Sequence, residues 1–229
     1  TSTFVATNAS GVETVSLTGD EAVRITNLPE SVTAINLAAT DADGGETATI
    51  THSGSASALT MTIGDTVDGT AGDDVDMDAV STTYAGALTL VSGGDDGNSI
   101  NGFDANSATS IVITAEKDTD ITGGGDDDVS ATSATTASIT TAGGDFVIDD
   151  DLILDDATSV TLTAADGAIT VTDDLDVSVA DGSVTLVASG GDANDITVGN
   201  IAFEDMVNVS ATATGGADIT ITDMDAFTG

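Results

Sequence analysis

The chain has 229 residues, of which 40 are acidic and only two are basic (Arg24 and Lys117), so its formal net charge at pH 7 is −38. This charge argues against nucleic acid and anionic membranes as partners, because both bind proteins mainly through lysine and arginine. Cysteine is absent from the sequence, and no apolar run of about 18 residues predicts a membrane-spanning helix. We therefore expect no nucleic-acid binding and no membrane insertion.

Short segments of alternating apolar and polar residues recur along the whole chain, and this alternation predicts β-strands. In the first half the predicted strands are residues 12–17, 22–25, 32–37, 48–50, 59–63, 87–90 and 111–114. In the second half they are residues 159–163, 168–172, 176–180, 183–187, 195–199, 207–210 and 218–222. No segment has the pattern of an amphipathic helix, and helix-favouring residues are scarce. The repeats are looser over residues 1–115 and more regular over residues 116–229.

Strands that follow one another so closely fit either an irregular parallel β-solenoid or β-sandwich repeats. The solenoid is favoured because aromatic residues make up only 3% of the chain, which is too few for a sandwich core. Stacked coils need only a thin stripe of small apolar residues on their inner side. The sequence predicts an all-β chain whose residues 1–229 form one elongated solenoid domain, either complete or as a segment of a longer protein.

The acidic residues are concentrated in turns between the predicted strands. Only six of them are glutamates, and aspartate is the residue that turns and metal-binding loops prefer. Gly-Asp clusters occur at residues 72–74, 93–96, 123–128, 143–145 and 190–192. Aspartate oxygens are hard ligands that suit Ca²⁺. We predict that several calcium ions neutralise these turns, although such a composition is also typical of turns that are merely exposed to solvent.

Three of the clusters resemble the calcium-binding nonapeptide of repeat-in-toxin (RTX) proteins, Gly-Gly-x-Gly-x-Asp-x-U-x, where U is a large apolar residue. In residues 69–76 Gly69, Gly72 and Asp74 match, but Asp76 stands where the apolar residue belongs. Residues 93–101 keep the leading glycines and Ile100, with Asn98 in place of the motif aspartate. Residues 123–128 form a third, degenerate copy.

The resemblance implies that calcium is held between successive coils, with Asp74, Asn98 and Asp128 as motif ligands. Neighbouring aspartates of the same clusters would be co-ligands. The full set of candidate metal ligands is Asp73, Asp74, Asp76, Asp95, Asp96, Asn98, Asp126, Asp127, Asp128, Asp145 and Asp192.

In its composition and strand pattern the chain is similar to bacterial surface-layer (S-layer) proteins of the RTX-secreted type. Acidic, cysteine-free, threonine-rich strands such as VETVSLTG and SVTLTAADGAITVT carry this similarity. It implies a structural protein of the extracellular cell surface that assembles with copies of itself through calcium-mediated contacts. Cell-surface polysaccharide is a second candidate partner. The alternative is a calcium-rigidified stalk or binding segment of a large secreted adhesin.

An enzymatic function is not expected from this sequence. The single histidine, His52, has no neighbouring partner in the sequence that would suggest a catalytic or metal-binding group. No Gly-x-Ser-x-Gly element surrounds a serine. Enzymes that act on acidic polysaccharides need basic and aromatic residues, and this chain has only one tyrosine and no tryptophan.

Overall fold

The computed structural model describes residues 2–5, 11–18, 23–38, 47–52, 58–64, 75–77, 79–93, 97–100, 102–121, 128–178, 181–203 and 208–226. Within these ranges the regular secondary structure consists of 23 β-strands that form two sheets. The part of the chain that the structure describes contains no helix long and apolar enough to cross a membrane.

The first sheet has nine strands, and every pair of neighbours in it is parallel. Its strands are β2 Thr14–Thr18, β4 Ala34–Ala38, β6 Leu59–Ile63, β9 Ala87–Ser92, β12 Ser110–Ala115, β15 Thr136–Ala142, β18 Ser159–Asp166, β20 Ser183–Ser189 and β22 Asn208–Thr214.

The second sheet has 14 strands, which are also paired in parallel. They are β1 Ser2–Val5, β3 Val23–Leu28, β5 Thr47–His52, β7 Val75–Met77, β8 Ala79–Thr82, β10 Asn98–Ile100, β11 Phe103–Asp104, β13 Thr119–Ile121, β14 Val129–Ser130, β16 Phe146–Ile148, β17 Leu152–Ile153, β19 Ile169–Val177, β21 Ile196–Phe203 and β23 Ile219–Ala226.

Successive strands of each sheet are one coil apart in sequence. In the nine-stranded sheet Leu88 pairs with Ile111 of the following coil, and Ile111 pairs in turn with Ala137 of the coil after that. This arrangement confirms the predicted parallel β-solenoid. The sandwich alternative is wrong, because stacked parallel coils replace the antiparallel hairpins from which sandwiches are built.

The core lies between the two sheets and is built from columns of residues that stack from coil to coil. One such column contains Leu90, Ile113, Ile139, Leu162 and Leu186, each of them at most 1% exposed. Alternating burial along the strands, as in β20, follows from the period-two geometry of a strand. The hydrophobic stripe expected from the sequence is therefore the inner lining of the solenoid.

The strands differ from the sequence-based expectation in several places, and the short strands β1, β7, β8, β10 and β11 were not predicted. The predicted strands 168–172 and 176–180 are joined in one strand, β19, whose register shifts between Val171 and Asp174. Two adjacent outward residues, Thr172 and Asp173, break the alternation there as a bulge rather than a turn. Between residues 116 and 158 no strand was expected, yet β13 to β17 lie there. Four of these five strands have two or three residues, which is too short to show alternation.

Candidate cation site

Aspartates from different coils come together at one corner of the solenoid. Three consecutive coils contribute to it. The first contributes the residue before β14, the second the turn between β16 and β17, and the third the bulge of β19. We call this region the acidic corner, and it consists of Asp128, Asp149, Asp150, Asp151, Asp173 and Asp174. The corner exists because residues about one coil apart stack directly on one another, so that a repeated turn residue becomes a column.

Hydrogen bonds connect one column of the acidic corner from coil to coil. Asp128 Oδ1 accepts a hydrogen bond from the backbone N–H of Asp151 at 3.1 Å. Asp151 Oδ1 accepts one from the backbone N–H of Asp174 at 2.8 Å. The column continues where Asp174 Oδ1 accepts a hydrogen bond from Asn200 Nδ2 at 3.0 Å. Each of these oxygens thus satisfies a donor of the following coil, and such charge-assisted bonds are among the stronger hydrogen bonds in proteins.

Three carboxylates of the corner are close enough to share one cation. Single oxygens of Asp128, Asp150 and Asp151 lie within 4.8 Å of one another, and all three side chains are half-buried. Burial, together with the neighbouring charges of Asp151, Asp128 and Asp173, raises the pKa of Asp150 above its ordinary value. Burial also raises the pKa of Asp151, and it outweighs the opposing hydrogen bond from Asp174. A cation placed among these groups would relieve both desolvation and mutual repulsion.

A second aspartate column lies at the corner that precedes β13, β16, β21 and β23. Asp118 Oδ1 accepts a hydrogen bond from the backbone N–H of Asp145 at 3.0 Å, and Asp145 Oδ1 accepts one from Ala168 at 2.7 Å. Asp195 Oδ1 accepts a hydrogen bond from the backbone N–H of Asp218 at 2.8 Å. Asp145, which the sequence suggested as a metal ligand, therefore has an observed structural role in joining coils.

The predicted ligands are distributed over several parts of the solenoid. Asp128 belongs to the triad, and Asp192 is exposed in the turn before β21. The backbone of Asp76 lies in β7, paired with Ser99. The remaining predicted aspartates lie outside the described residues, and these are Asp73, Asp74, Asp95, Asp96, Asp126 and Asp127.

Asn98, which was predicted to stand in for the motif aspartate, lies on the inner side of its coil. Its side chain is only 4% exposed. Its Nδ2 donates to Ser92 Oγ at 2.8 Å and to the Gly93 carbonyl at 3.0 Å. Thr119 of the next coil donates to the same Ser92 oxygen at 2.7 Å. In the structure Asn98 thus closes the corner of its own coil by hydrogen bonds to the backbone and to a buried hydroxyl.

Two members of the triad, Asp150 and Asp151, were not predicted, because the prediction rested on glycine beside aspartate. The sequence does contain a signal for them. One Asp-Asp-Asp run ends at Asp128 and another at Asp151, and both runs precede an apolar residue. The two runs are separated along the chain by the same interval as Val129 and Leu152, which pair in adjacent coils. Comparing the sequence with itself at that shift would have placed both runs at one corner.

A cavity of about 360 Å³ opens next to the acidic corner, lined by Ser81, Gly102, Phe103, Asp104, Asn106, Asp128 and Ser130. It forms where Gly102 occupies the column position that Asp128 holds in the next coil. Asn106 Oδ1 accepts a hydrogen bond from Ser130 Oγ at 2.7 Å, and this bond joins two residues of the lining. The cavity therefore presents hydroxyl, amide and carboxylate groups together.

Comparison with known proteins gives no assignment for this fold or this site. No protein-family model matches the chain, and no curated protein or solved structure matches it either. The function therefore has to be inferred from the residues and their geometry.

Proposed function

We propose that the chain is a calcium-stabilised structural protein of an extracellular surface layer, which assembles with copies of itself through Ca²⁺-mediated contacts. The observation that carries this proposal is the triad of Asp128, Asp150 and Asp151, whose oxygens lie within 4.8 Å of one another. A regular solenoid of stacked coils suits a stiff load-bearing body. The role is structural, and no catalytic step is part of it.

Calcium is the cation that this donor set favours. Carboxylates are hard oxygen ligands, and Ca²⁺ takes about six to eight oxygens in a flexible arrangement. Three aspartates supply part of such a shell, and backbone carbonyls and water would complete it. Mg²⁺ is less suited, because it demands near-ideal octahedral geometry and gives up its own water reluctantly.

The test is to compare calcium with sodium in their effect on folding. Extracellular calcium sites have dissociation constants of about 10⁻⁴–10⁻³ M. A tenfold excess of calcium over that constant stabilises the fold by about 1.4 kcal/mol per independent site. For a domain of this size, that corresponds to a rise in Tm of roughly 3–6 °C per site. Circular dichroism melts in chelator and after calcium is restored would measure this rise.

Sodium is the matched control for simple charge screening. NaCl at about 1 M shortens the Debye length to about 3 Å and relieves diffuse repulsion, but it cannot replace a coordinated ion. We expect millimolar calcium to raise Tm beyond what molar sodium achieves. Equal effects of the two salts would show that the aspartates are only a solvated acidic surface. Electron micrographs of the same samples test assembly, with sheets or filaments expected only when calcium is present.

The cavity beside the acidic corner favours a second candidate function, a binding segment of a secreted adhesin. Hydroxyl, amide and carboxylate groups, as in Ser81, Asn106 and Asp104, are the groups that hydrogen-bond a neutral sugar. Cell-surface polysaccharide would then be the target. A chain that stays monomeric in calcium and binds an immobilised neutral polysaccharide would support this second function over the layer.

A further inference from the structure

The outward face of the nine-stranded sheet carries no charge along its two central columns. One column runs through Thr14, Ala34, Thr60, Thr89, Val112, Ser138, Thr161, Thr185 and Ser210, and the other through Ser16, Asn36, Thr62, Val91, Thr114, Thr140, Thr163, Val187 and Thr212. We call these two columns the neutral face. Their side chains are half-buried or exposed, and Val112 at the middle strand is 40% exposed.

Among the described residues, no other pair of outward columns stays free of charge over so many coils. Outward positions of the 14-stranded sheet include Asp104, Asp120 and Asp176, and aspartates also line the corners. In a chain with a net charge of −38, the charge is thus kept away from the two central columns of one sheet face. Because like charges repel across a contact, these uncharged columns are where a second acidic molecule can approach.

We propose that the neutral face packs against the neutral face of a second copy of this chain, in a two-fold symmetric dimer that needs no calcium. The charge distribution selects this occupant. Two like-charged copies repel wherever carboxylates face each other, and the neutral face allows two sheets to approach to about 10 Å without such a pairing. The acidic corner lies on or beside strands of the 14-stranded sheet, so it is not part of this contact.

The area of the neutral face is sufficient for a small dimer interface. Nine strands at about 4.8 Å each give a length of about 40 Å, and two outward residues per strand give a width of about 14 Å. The product is about 550 Å² per copy, so two copies bury about 1,100 Å² together, which lies at the low end of specific interfaces. Threonine and valine methyl groups would supply the apolar contacts, and hydroxyl groups can donate or accept across the interface.

This contact goes beyond the calcium-dependent layer, because it depends on the absence of charge rather than on a bridging ion. Sodium chloride should therefore strengthen it, since screening reduces the overall repulsion between copies. Calcium bridges between aspartates would instead be weakened by salt and abolished by chelator. The two kinds of association can thus be told apart in one protein.

Two valines provide a matched test. Val112 lies in the middle strand of the neutral face, and Val147 lies at an outward position of β16 in the other sheet. Sedimentation velocity is run in chelator and, separately, in millimolar calcium, each at about 0.05 and about 0.5 M NaCl. We expect the wild type to dimerise more tightly at the higher salt, Val112→Asp to weaken dimerisation at least tenfold, and Val147→Asp to leave it unchanged. Circular dichroism checks that both variants fold.

Cross-linking gives a readout that does not depend on introducing charge. The chain has no cysteine, so Val112→Cys and Val147→Cys each introduce a single thiol. Under mild oxidation we expect a disulfide-linked dimer from Val112→Cys and none from Val147→Cys. The proposal is overturned if the wild type stays monomeric at both salts, if both aspartate variants dimerise alike, or if the two cysteines cross-link equally. Dimers that chelator dissociates while the fold persists would also overturn it and would assign association to calcium bridges.

Discussion

The neutral face and the acidic corner belong to the same coils, yet they use the coil repeat in opposite ways. On the neutral face, stacking places uncharged side chains such as Thr161 and Thr185 in register, and the stabilising residues lie underneath. At the acidic corner, stacking brings Asp128 and Asp151 together, and their hydrogen bonds to the next coil oppose their mutual repulsion. In a solenoid, a residue type that recurs at one position of the coil forms a column, so its contact with its own kind is repeated from coil to coil. That repeated contact involves no charge on the neutral face and is repulsive at the acidic corner.

The largest expected effect concerns the layer beneath the neutral face. Leu162 is fully buried and is in register with Ile139 and Leu186 of the adjacent coils. We expect Leu162→Ala to lower the free energy of unfolding by about 2–5 kcal/mol, because it leaves a cavity in a stacked column. The outward neighbour Thr161→Ala should change it by no more than about 0.5 kcal/mol. Urea unfolding measures both, and similar losses for the two would contradict the inner position of the stabilising residues.

A smaller effect, which depends on cation, is expected at the acidic corner. Asp151→Ala removes the acceptor of the Asp174 N–H, and an unsatisfied donor costs about 1–3 kcal/mol. Asp151→Asn keeps an acceptor oxygen and removes one charge from the triad. In chelator we therefore expect Asp151→Asn to be more stable than the wild type, and in calcium less stable. Thermal melts of Asp151→Asn and the wild type measure this. If the same one of the two proteins is the more stable in both chelator and calcium, Asp151 takes no part in binding a cation.

The smallest expected effect is the pH dependence of the metal-free protein. The pKa values of Asp150 and Asp151 are raised in the fold above the ordinary 3.8, chiefly by burial. The folded state therefore binds protons more readily than the unfolded state just above that value. Stability from this pair is fully present below the ordinary pKa and is lost as pH rises through the raised pKa values.

Thermal melts in chelator, from neutral pH down toward pH 4, should therefore show Tm rising with acidity. The double variant Asp150→Asn and Asp151→Asn should flatten that rise. Calcium should reverse the trend, since protons compete with the ion for the same oxygens. A double variant that follows the wild-type pH profile in chelator would show that other carboxylates control it.

The repeat of the chain was readable from the sequence because strand alternation and turn composition are local properties. Segments such as 159–163 and 183–187, with strict alternation of valine or leucine and threonine, were predicted as strands and lie in β18 and β20. The bulge in β19 was missed, because Asp173 and Asp174 have the composition of a turn while the chain through them stays extended. A local pattern cannot separate these two cases, since hydrogen bonds to the coils on both sides keep the chain extended through the bulge.

The sequence by itself determined that this protein is an all-β chain of short strands with aspartate-rich turns, and its alternation and scarce aromatic residues favoured a solenoid over a sandwich. Only the tertiary structure decided which aspartates meet. Asp150 and Asp151 join Asp128, whereas Asn98 turns inward. The physical reason is register: the coils differ in length from one to the next, so only their pairing fixes which positions, far apart in the chain, come to lie side by side. The neutral face arises in the same way, from outward residues that align only once the coils stack.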